Sequence, residues 1–114
     1  MQYIVRIELH DHQDGDYDVL HAAMAARGFT RTIVADNGLT YDLPTATYRT
    51  ISLGTLGEIG ATANTAAATT KREHIVLVTP ADSWMSYGLK LSKPGPIDVS
   101  ALALAKLYDT KFPK

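Results

Sequence analysis

Apolar and polar residues alternate from the start of the chain. Tyr3, Val5, Ile7 and Leu9 interleave with Ile4, Arg6, Glu8 and His10. This period of two predicts a strand from Gln2 to Leu9 with one apolar face. The pattern then breaks at His10 to Asp16, a His-, Asp- and Gly-rich loop suited to turns. From Tyr17 to Arg27 the spacing becomes helical, with Tyr17, Leu20 and Met24 on one side and His21 beside them. Asp14 or Asp16 is expected to cap the start of this helix, and Gly28 to stop it. Phe29 to Ala35 reads as a second strand, closed by the turn Asp36-Asn37-Gly38. Leu39 to Pro44 reads as a connection, because Pro44 argues against a central strand. Ala46 to Leu53 reads as a third strand, antiparallel to the second and rich in β-branched and aromatic residues.

Thr55-Leu56-Gly57-Glu58 matches a capping box. The helix behind it should reach about Thr70, with Leu56, Ile59, Ala63 and Ala66 or Ala67 turned inward. Glu73 to Thr79, built around Ile75-Val76-Leu77-Val78, reads as a fourth strand ended by Pro80. The order strand, helix, strand, strand, helix, strand predicts an α+β domain of the ferredoxin-like, split-βαβ kind. Its antiparallel sheet would carry two helices on one face. This domain spans residues 1–88, and residues 89–114 form a C-terminal extension. Over Ala81 to Leu91 we expect a short helical turn and then an edge strand, Tyr87 to Leu91, followed by a break at Lys93-Pro94-Gly95-Pro96 and a final helix. Asp98 or Ser100 would cap that helix, which would end near Tyr108. A fourth strand apolar on both sides needs cover on both faces, which predicts a homodimer or cover by the extension.

Composition narrows the classes. The 114 residues suit one domain, and 11 Lys+Arg against 12 Asp+Glu argue against a strongly basic nucleic-acid binder. The chain has no cysteine, which removes disulfides, thiolate nucleophiles and cysteine zinc sites. No apolar run reaches the ~18 residues of a membrane span, and Met1 to Arg6 lacks the order of a signal peptide. A cytoplasmic protein is expected. Charge is uneven, however. Residues 1–18 hold Arg6 against five carboxylates, and residues 89–114 hold five lysines against Asp98 and Asp109. The basic end could meet a phosphate backbone or simply be solvated.

The densest polar cluster runs from His10 to Asp18. Its imidazoles and carboxylates could take a divalent cation, but their spacing fits no EF-hand and no helical His pair, so no metal ligand is assigned. Turn and cap chemistry accounts for the same residues. Trp84 and Tyr87 could stack on an unpaired base or pack against the core. No nucleophile elbow, phosphate loop or dinucleotide fingerprint is present.

Three segments carry a family resemblance. They are Tyr3-Ile4-Val5 with Glu8 near the strand end, Phe29 followed by Ile33-Val34-Ala35-Asp36, and Val78-Thr79-Pro80-Ala81-Asp82-Ser83-Trp84. Together they span residues 3–88 and resemble the GhoS-type endoribonuclease antitoxins of type V toxin–antitoxin systems. Those are ferredoxin-like proteins related in fold to CRISPR-associated adaptation subunits. The resemblance implies cleavage of single-stranded messenger RNA near the first strand and first helix. The family ends its first strand in aspartate, where this chain has Glu8, and places an arginine where this chain has His21. The candidate catalytic residues are therefore Glu8, His10 and His21, and the candidate RNA-binding residues are Arg6, Arg31, Trp84 and Tyr87. Glu8 could instead pair with Arg6 or Arg31 on the open sheet face. Two rival readings stay open. One is a non-catalytic interaction module, such as a phage or mobile-element inhibitor of a nucleoprotein defence complex. The other is a regulatory domain that binds a small molecule on its sheet.

Overall fold

The first strand, β1 (Gln2–Leu9), forms where the alternation predicts it and buries Tyr3, Val5, Ile7 and Leu9. In the computed structural model, which describes residues 1–93, six further elements follow. They are α1 (Asp16–Ala25), β2 (Thr32–Val34), β3 (Thr40–Asp42), β4 (Thr47–Ile51), α2 (Leu56–Ala68) and β5 (His74–Pro80). The final helix expected from Asp98 or Ser100 lies outside the described residues. Among the described residues no helix is long and apolar enough to cross a membrane.

The architecture is α+β with antiparallel pairing throughout. β1 is the centre of a three-stranded sheet in the order β4-β1-β5. Val5 lies opposite Tyr48 on one side and Val78 on the other. β2 and β3 form a separate two-stranded sheet, with Ile33 opposite Tyr41. The expected single four-stranded sheet is therefore divided. The second strand touches β4 through one bridge, Thr30 to Arg49, and then leaves to pair with β3. Asn37 and Gly38 turn the chain between β2 and β3, with Gly38 at φ +81°. The chain from Thr40 to Asp42 is a strand and not the expected connection. Pro44 stands beyond it, so no ladder hydrogen bond needs its missing N–H.

Both helices cover the Tyr3-to-Leu9 face of β1. Leu20 and Met24 of α1 and Ile59, Ala63, Ala66 and Ala67 of α2 join that face in one core with Phe29 and Tyr48. The small alanines of α2 let it lie close to the sheet and to α1. Leu56, expected inward, is exposed, because the first helical residue precedes the buried stripe. Thr55 and Glu58 form the predicted capping box: Thr55 Oγ accepts the Glu58 N–H, and the Glu58 carboxylate accepts the Thr55 N–H. The start of α1 differs from expectation. Gly15 in the left-handed region is its cap, and neither Asp14 nor Asp16 caps through its side chain. Gly28 does end the turn. At φ +84° it donates to the Ala25 carbonyl while Phe29 donates to Met24, the paired bonds of a Schellman ending.

The segment after β5 contains no regular helix or strand up to Lys93. The expected edge strand Tyr87 to Leu91 reduces to one bridge between Leu91 and Tyr41, flanked by Asp42 N–H to Lys90 and Ser92 N–H to Thr40. Residues 90–92 therefore run beside β3.

Candidate functional site

α1 presents His21 to β4, where Tyr48 points into the core. His21 Nδ1 and the Tyr48 hydroxyl are 2.6 Å apart. Tyr48 is fully buried, whereas His21 is half-buried at the edge of the helix. Rings continue outward from this pair: Tyr17 lies 6.3 Å from His21, and His12 meets Tyr17 edge-on at 5.0 Å between centroids. The Tyr17 hydroxyl accepts the Leu9 N–H at 3.2 Å, which ties the row to the end of β1.

The electrostatics of the pair follow from burial. Burial pushes the Tyr48 phenol up to about 12, so it stays a neutral donor. Burial lowers the pKa of His21, the nearby Arg31 guanidinium lowers it further, and Asp18 opposes both. The Tyr48 hydroxyl has no other hydrogen-bond partner among the described residues. Its proton therefore goes to Nδ1, because a buried hydroxyl that donated to nothing would lose a hydrogen bond. The neutral imidazole then carries its own proton on Nε2. His21 thus offers an N–H donor close to a permanent cation. That combination suits an oxyanion such as a phosphate oxygen.

The other candidates fall into separate places. Glu8 and Arg6 alternate with the buried residues of β1, so both stand exposed on the sheet face away from the helices. The sheet thus separates Glu8 from His21, and one site cannot use both from a single chain. The ion pair considered for Glu8 is absent: among the described residues the ion pair is Arg72 Nε to Asp16 Oδ2, at 2.8 Å. Arg6 and Glu8 are instead solvated. His10 follows β1 in a turn, its N–H donating to the Glu73 carbonyl at 2.8 Å. Arg31 lies between α1 and β2 and is the residue whose charge acts on both His21 and Tyr48. Trp84 lines a cleft against the β2–β3 hairpin, while Tyr87 is 92% exposed.

In the His10–Asp18 loop, Asp16 is engaged by the Gln13 N–H and by Arg72. These bonds hold its carboxyl below the usual range, the backbone donor first. Among the described residues no three His, Asp or Glu side chains converge on one point. The sequence does not single out Tyr48. Its partner lies 27 positions away on another element, and only the strand register turns it toward α1.

No protein-family model matches the chain, and no curated protein matches it in sequence.

Proposed function

We propose that the chain is an RNA-directed domain, an antitoxin-type endoribonuclease acting on single-stranded messenger RNA. The observation that carries this reading is the His21–Tyr48 pair beside Arg31. RNA cleavage proceeds when the 2′-hydroxyl attacks phosphorus, the bond to the 5′-oxygen breaks, and that oxygen takes a proton. Arg31 would hold the phosphate and balance the charge that builds on it. His21 would donate from Nε2 to a phosphate oxygen. The leaving 5′-oxygen would take its proton from water, because burial, Arg31 and the Tyr48 hydroxyl all disfavour a doubly protonated His21. Of the candidate imidazoles, His10 at the end of β1 would serve as the base, since Tyr48 fixes His21 in the wrong tautomer for that role. Tyr87 would add a stacking contact to the RNA. A divalent cation at the His10–Asp18 loop belongs to this proposal only if chelation abolishes cleavage.

The frame of the proposal is a ferredoxin-like βαββαβ sheet whose second strand has peeled away. The order β4-β1-β5 and the Thr30 bridge on the far edge of β4 support that frame. Among the described residues nothing covers one face of this sheet, and this favours a second reading. Ile51, Ile75 and Leu77 are 66%, 52% and 62% exposed on it. A homodimer, or a non-catalytic module that docks another protein there, would cover these side chains.

Purified protein incubated with an RNA pool, with Mg²⁺ or with EDTA, tests the first reading. Cleavage that falls in His21→Ala and Arg31→Ala but persists in a surface variant such as Thr62→Ala supports it. Cleavage equal in every variant would show a contaminant.

A further inference from the structure

A second site lies away from His21. The β2–β3 hairpin and the segment after β5 border an open cleft of about 590 Å³, a size that suits a small ligand. Asp36, Asn37 and Tyr41 line it from the hairpin, and Asp82, Trp84 and Met85 from the other side. The segment is held in place by Asp82, whose carboxylate accepts the Gln2 N–H, and by the bonds of residues 90–92 to β3. Asn37 is likewise fixed, donating to the Tyr41 hydroxyl and accepting from the Leu39 N–H.

The charge of this cleft is one-sided. Asp36 and Asp82 are its charged lining residues, and neither has a cationic partner among the described residues. Two aromatic rings accompany them. Carboxylates beside Trp and Tyr attract a cation, because the ring faces and the carboxylates are both negative. The same carboxylates repel the phosphates that accompany an RNA base. We infer that this cleft binds a small organic cation with an ammonium or guanidinium head, in place of the unpaired base that the sequence suggests for Trp84. Asp36 supplies the charge, Trp84 and Tyr41 the aromatic walls, and Asp82 both charge and a tie to β1. This site is independent of the RNA reading, since His21 and Arg31 are not among the residues that line it.

Trp84 is the single tryptophan of the chain, so its fluorescence reports this cleft alone. The full chain is titrated with putrescine, with agmatine and with cytidine. The expected result is a saturable fluorescence change with putrescine or agmatine that weakens as salt rises. Asp36→Asn should raise the dissociation constant about twofold to fivefold, the loss of one exposed charge contact. Asp36 makes no side-chain hydrogen bond among the described residues, so this variant should melt with the native protein. The salt series on the native chain tests the same charge dependence without any variant. No saturable change with either cation, a change insensitive to salt and to Asp36→Asn, or tighter binding of cytidine would each overturn the inference.

Discussion

Burial and the Arg31 guanidinium both disfavour a proton on His21, with Asp18 pulling the other way. Unfolding returns the imidazole to its ordinary value of 6.5. Below that value the unfolded chain binds the proton more readily than the fold does. Stability therefore falls as pH drops from 6.5 toward the lower folded value, and it is fully present above 6.5. Urea midpoints measured between pH 7.5 and pH 5 should show this loss, and His21→Gln should flatten it. Asp16 and Glu58, both lowered by hydrogen bonds, act in a separate and more acidic window. Their contributions are present above their ordinary values of 3.8 and 4.5 and disappear as pH falls through the folded ones. Tyr48→Phe keeps the ring and deletes the hydroxyl, leaving Nδ1 without its donor. Denaturation at pH 7.5 should show a loss of about 1 kcal/mol.

At the scale of elements, local chemistry is more legible in the sequence than strand pairing. β1 can be read because its alternation is uninterrupted from Tyr3 to Leu9. The capping box can be read because its partners, Thr55 and Glu58, lie three residues apart. Replacing Thr55 with Ala should cost about 1 kcal/mol, as for other lost helix caps. Gly28→Ala places a Cβ at φ +84° and should cost about 1–2 kcal/mol; thermal melts of both variants check this. Pairing is harder to see. The turn Asp36-Asn37-Gly38 is plain, yet the residue pattern points to 46–53 as the strand beyond it. The nearer partner, Thr40 to Asp42, is short and partly exposed, and Pro44 close by suggests a loop. The cap of α1 is ambiguous because an aspartate and a glycine compete there. Gly15 takes the left-handed backbone at no steric cost, which frees Asp16 for Arg72.

Among the described residues the molecule has two unlike faces. Helices cover one side of the central sheet, and the other exposes Ile51, Ile75 and Leu77 around Arg6 and Glu8. The need for cover is visible in the apolar run Ile75 to Val78, but which residues share that face is not, since it depends on the register of β5 against β1. Under the second reading, sedimentation should detect a dimer that Leu77→Glu converts to a folded monomer. A native chain that sediments as a monomer would rule out the dimer form of that reading. The candidate site is half legible. His21 stands out beside the helix stripe and Arg31 among the basic residues, but Tyr48 joins them only through the fold. Glu8, singled out by its place in the first strand, ends on the far side of the sheet.

The measurement that bears most directly on the RNA reading is cleavage of single-stranded RNA by the purified full chain and its His21→Ala, Arg31→Ala and Glu8→Gln variants. Cutting should drop at least about tenfold in the first two, the effect of losing a positioned hydrogen-bond donor or cation at the phosphate. Glu8→Gln, across the sheet, should retain activity. Loss of cleavage in Glu8→Gln with full activity in His21→Ala would contradict the site, and an absence of cleavage by the folded native chain across a broad RNA pool would contradict the nuclease itself.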